Sequence, residues 1–73
     1  MTNYQINSRV ELLKRLHEII LNMNHENAYM HWIYVVPDEP STDDFVSIAE
    51  DETDFNDTLT LFMRIFERYS KYE

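Results

Sequence analysis

The chain contains no glycine. Average usage of about 7% would place roughly five in a chain this long, so any backbone position that needs a positive φ must be filled by a residue carrying a Cβ. Asparagine tolerates the left-handed region best after glycine, and Asn22, Asn24 and Asn27 fall where a first helix should end. Loops of the Walker or dinucleotide-binding type need glycine for close backbone approach to phosphate, and are excluded in their usual form.

Cysteine is absent as well, which removes disulfides and thiolate metal sites. With 73 residues the chain makes one domain, and such a domain buries only ~60–65% of its unfolded surface. A core of that size is barely sufficient and favours a stabilising partner.

Ser8-Arg9-Val10-Glu11 has capping-box spacing. With Val10, Leu13, Leu16, Ile20 and Met23 recurring at three and four residues, it predicts an amphipathic helix over residues 8–24. From Ala28 the chain turns aromatic and β-branched through Val36, and Pro37 follows. The run predicts a strand over 28–36, apolar on both faces. Residues 37–43 carry turn chemistry, and 44–50 reads as a second strand. Asp51, Glu52 and Asp54 suit the positive end of a helix dipole, and Phe55, Leu59, Phe62, Phe66 and Tyr69 form the stripe of a helix over 53–71. The expected fold is therefore α+β: a single αββα domain over residues 1–73, with a two-stranded antiparallel hairpin packed against two helices. A two-stranded sheet has open edges, and dimerisation would extend it.

Charge is distributed unevenly. The six basic residues, Arg9, Lys14, Arg15, Arg64, Arg68 and Lys71, lie toward the two ends, while residues 16–63 hold 11 of the 14 acids. On an αββα chain the basic ends share one pole, and Glu26, Glu50, Asp51, Glu52, Asp54 and Asp57 gather at the other without compensation. Acids three and four apart on a helix lie about 5–6 Å from one another, close to phosphate spacing along a nucleic-acid strand. Glu50, Asp51, Glu52, Asp54 and Asp57 are thus the candidate acidic contact surface, set against the ordinary explanation that acids cap helix starts. Tyr29, Leu61, Met63 and Tyr72 are the candidate apolar interface, because aromatics and Met are enriched at such surfaces. Packing within the core is the alternative for them.

No metal or cofactor is expected. His17, His25 and His31 lack zinc-ligand spacing, and Asp38, Glu39, Asp43 and Asp44 match no EF-hand. Ser8, Ser41, Ser47 and Ser70 have no nucleophile-elbow context, so no catalytic residue is assigned. A net charge of −8 argues against direct nucleic-acid binding. No apolar run approaches the ~20 residues of a membrane span, and the N-terminal residues lack signal-peptide character, which points to a cytoplasmic product. The expected function is a small acidic, non-enzymatic protein-interaction module, forming homodimers and directed to a basic protein partner. The alternatives are a nucleic-acid mimic that inhibits a DNA- or RNA-binding host protein, and a small ligand or metal binder. Small acidic phage-encoded inhibitors of nucleic-acid-handling enzymes share this size and charge, a likeness of composition alone.

Overall fold

In a computed structural model, which describes residues 2–70, four helices follow one another: α1 (Asn3–Asn22), α2 (Glu26–Trp32), α3 (Thr42–Glu50) and α4 (Glu52–Tyr69). Among the described residues there is no strand. The αββα expectation is therefore overturned in favour of an all-helical fold, and both predicted strands are helix and turn.

The physical reason is visible in which side chains are buried. A strand over 28–36 would put residues 28, 30, 32, 34 and 36 on one face. Instead Ala28, Trp32 and Val36 are wholly excluded from solvent, whereas Met30 is 50% and Tyr34 84% exposed. Burial every four residues is helical periodicity. β-Propensity measures fit to a half-buried pleated surface more than an intrinsic backbone preference, and here Trp32 packs edge-on to Phe62 of α4 at 6.0 Å between ring centroids. The same holds in α3, where Phe45 and Ala49 are buried and Ser47, which a strand would place beside them, is exposed.

Caps fix the helix starts. At α1 the Thr2 hydroxyl accepts from the Gln5 N–H at 3.1 Å and the Gln5 side chain accepts from the Thr2 N–H at 2.9 Å. The helix thus begins at Asn3, five residues before the predicted start, and Ser8 lies inside it. A second capping box joins Ser41 and Asp44, through Ser41 N–H to Asp44 Oδ2 at 2.8 Å and Asp44 N–H to Ser41 Oγ at 3.3 Å. The segment read as turn followed by strand is therefore a helix entry. Asp51 ends α3 and caps α4, its Oδ1 accepting from the Asp54 N–H at 3.0 Å, so the two helices meet at a single residue.

Among the described residues two positions have positive φ, Asn24 and Glu39, both at 53°. Of the three asparagines singled out, Asn24 is the one that takes the left-handed conformation, just after α1. Glu39 does the same in the connection to α3, where glycine would cost less.

α3 packs mainly on α1, while α4 packs on α2 and α3. Phe45 lies against His17 and the Ala49 carbonyl against Arg9, so α3 runs antiparallel to α1. α4 then starts beside Arg9 and ends with Tyr69 beside His25. The core is one cluster to which each helix contributes, including Leu13, Ile20, Trp32, Phe45, Phe62 and Ile65.

Candidate functional site

The sequence-predicted acidic surface falls at the α3–α4 junction. Glu50 closes α3, Asp51 caps α4, and Glu52, Asp54 and Asp57 lie in the first two turns of α4; all five are exposed. They do not share one face. Asp54 and Asp57, three residues apart, line a surface hollow of about 220 Å³ together with Val35, Ile48 and Thr58. Thr58 is buried beneath them, its hydroxyl donating to the Asp54 carbonyl at 2.8 Å.

Glu52 turns the other way. Its Oε1 accepts from Arg9 Nη2 at 2.8 Å, and Arg9 Nη1 donates to the Ala49 carbonyl at 3.3 Å. The Arg9 guanidinium also stands over the Phe55 ring, 4.4 Å from its centroid. One side chain of α1 thereby holds the end of α3 and the start of α4. The hydrogen bond and charge of Arg9 keep the Glu52 carboxyl below the usual carboxylate range. This corrects the expectation that the acidic cluster lacks a nearby cation: antiparallel packing of α3 on α1 returns the chain to Arg9, from which Glu52 is separated by 43 residues in sequence. It also divides the basic residues expected to share one pole. Among the described residues Arg9–Glu52 is the one ion pair within 4 Å, and Glu50, Asp51, Asp54 and Asp57 have no such partner.

The proposed apolar interface is not a single patch. Tyr29 is partly buried on the core, and its hydroxyl donates to Asp38. That hydrogen bond raises the phenol's pKa above its ordinary value. Leu61 is likewise partly buried on the core, Met63 is exposed, and Tyr72 lies outside the described residues.

Three histidines sit around α2 with contacts that sequence reading missed. Trp32 Nε1–H donates to His17 Nδ1 at 3.0 Å. The His25 side chain caps α2, Nδ1 accepting from the Ala28 N–H at 3.4 Å. His31 Nδ1 lies 2.8 Å from the Asn27 carbonyl and must donate to it. The only available sequence signal was position: His25 lies immediately before a run with burial at four-residue spacing. Burial lowers the His17 pKa, outweighing the opposing fields of Asp38 and Glu18. Among the described residues no three His, Asp or Glu side chains converge in a group that could hold a metal ion, and no helix is long and apolar enough to cross a membrane.

No family model, curated protein or solved structure matches the chain.

Proposed function

We propose that the chain is a small acidic, non-enzymatic protein-interaction module of the cytoplasm, which meets a basic protein partner through the carboxylates of the α3–α4 junction. What supports the reading is the exposure of Glu50, Asp51, Asp54 and Asp57 with no cation within 4 Å among the described residues. A basic surface brought against them gains Coulomb energy without first having to break an ion pair, and such attraction steers encounter and is screened by salt. Homodimer formation loses its original support, because it rested on open sheet edges and the described residues contain no strand.

The test is affinity capture from native cells with the wild-type chain and with an Asp54→Lys, Asp57→Lys variant. A basic partner retained at low salt, released at high salt and lost on charge reversal is the expected result. Equal capture by both chains sinks the reading. Displacement of the partner by DNA or RNA would narrow it to a nucleic-acid mimic.

A further inference from the structure

Opposite ends of α2 are held by two imidazole nitrogens that must be unprotonated. The indole N–H of Trp32 can only donate, so His17 Nδ1 accepts at 3.0 Å and its ring proton sits on Nε2. At the other end the Ala28 amide can only donate, so His25 Nδ1 accepts at 3.4 Å. A protonated imidazole has no acceptor, and would set N–H against N–H at both places.

We propose that α2 is a pH-sensitive latch: protonation of His17 and His25 removes both acceptors and lets the segment carrying Trp32 open from the other three helices. What it uncovers is apolar, since Ala28, Trp32 and Val36 are fully buried in the closed chain. His31 on the same helix is a built-in contrast. Its Nδ1 already carries the hydrogen given to Asn27, so protonation at Nε2 leaves that bond intact.

Both rings border surface hollows. His17 borders a hollow of about 320 Å³ lined also by Lys14, Glu18, Glu39, Pro40, Thr42 and Phe45, which gives protons access. Lys14 and Glu18 come from α1, Asp38 and Glu39 from the connection, and α3 presents Thr42 and the Phe45 ring. His25 lies in a second hollow with Glu26, Asn24 and Tyr29. From α4 the Tyr69 ring lies tilted against it, 4.5 Å between centroids, with the Arg68 guanidinium over the Tyr69 ring. For His17 the direction of linkage follows from burial. The closed state binds the proton less readily than the open one, so its contribution is complete above about 6.5 and is lost as pH falls through the lowered folded-state value.

Hydrogen-exchange NMR on the full chain reads the opening. Between pH 7.5 and 5.5, with intrinsic exchange corrected for pH, protection of the Trp32 indole N–H and the Tyr29 and Ile33 amides should fall on the order of ten-fold as the His17 acceptor is lost. Protection of the Leu13 and Leu16 amides in α1 should hold. His17→Gln with His25→Ser keeps non-titrating acceptors and should flatten the profile, whereas His31→Gln should leave it as in wild type. Flat protection of α2 in the wild type overturns the proposal without any variant. So does a parallel loss in α1, which would mean global unfolding, or a profile flattened by His31→Gln.

Discussion

Trp32→Ala and Tyr34→Ala together separate the helix from the strand it was expected to be. The two residues would share a face in a strand, yet Trp32 is fully buried and Tyr34 almost fully exposed. Truncating a buried Trp typically costs about 3–5 kcal/mol. Loss of the donor to His17 adds about 1 kcal/mol. At about 0.05–0.15 kcal/mol per residue, a chain of this length has a total stability of roughly 4–11 kcal/mol. Trp32→Ala should therefore remove around half of it or more. With a urea m-value of about 1 kcal/mol/M for a domain this small, the midpoint falls by roughly 4–6 M or the cooperative transition disappears. Tyr34→Ala should stay within about 0.5 kcal/mol, a midpoint change of roughly 0.5 M or less at the same m-value. Urea titration followed by far-UV circular dichroism measures both. A Tyr34→Ala loss comparable to that of Trp32→Ala, or a Trp32→Ala loss under about 1 kcal/mol, would refute the burial pattern on which the fold rests.

Ser41→Ala should cost about 1 kcal/mol by removing the cap of α3, while Ser8→Ala, inside α1, should be neutral or slightly stabilising; equal effects in urea titration would contradict these helix starts. Glu39→Gly should stabilise by about 0.5–1 kcal/mol, because relief of the positive φ exceeds the added unfolded-state entropy, and a lower melting temperature would count against it. The Tyr29 phenol should ionise above its ordinary value in an ultraviolet pH titration and move back toward it in Asp38→Asn. Since its folded-state pKa is raised, that contribution to stability is present below about pH 10 and is lost as pH rises through the folded-state value; an unchanged titration in Asp38→Asn would remove Asp38 as the cause.

The two outer helices and the middle of the chain differed in how much they disclosed. α1 and α4 are long, and their stripes repeat often enough to fix the element type and much of the buried face, but in α4 Phe66 of the expected stripe is 41% exposed while Thr58 and Ile65 are buried. The short middle elements gave too few repeats. Tyr29, Trp32, Tyr34, Val35 and Val36 suit a strand by residue type, and only the four-residue spacing of Ala28, Trp32 and Val36, with the Ser41 and Asp44 capping box, pointed to helix. Of the candidate surface, the location of the acids at a helix start was legible, whereas the cap at Asp51, one residue before a helix that starts at Glu52, was not. That Glu52 is answered by Arg9 was not, because that contact depends on how α3 folds back along α1.

What the sequence determined by itself was therefore local. It set the absence of glycine that sends Asn24 to positive φ, the apolar stripes of the two long helices, and the acids around the α3–α4 junction. Tertiary structure decided the rest. Burial of Trp32 between His17 and Phe62 selects helix over strand for the middle of the chain, and the return of α3 along α1 determines which acids keep their charge unpaired. Both outcomes depend on contacts between residues far apart in the chain, whose energies no local window contains.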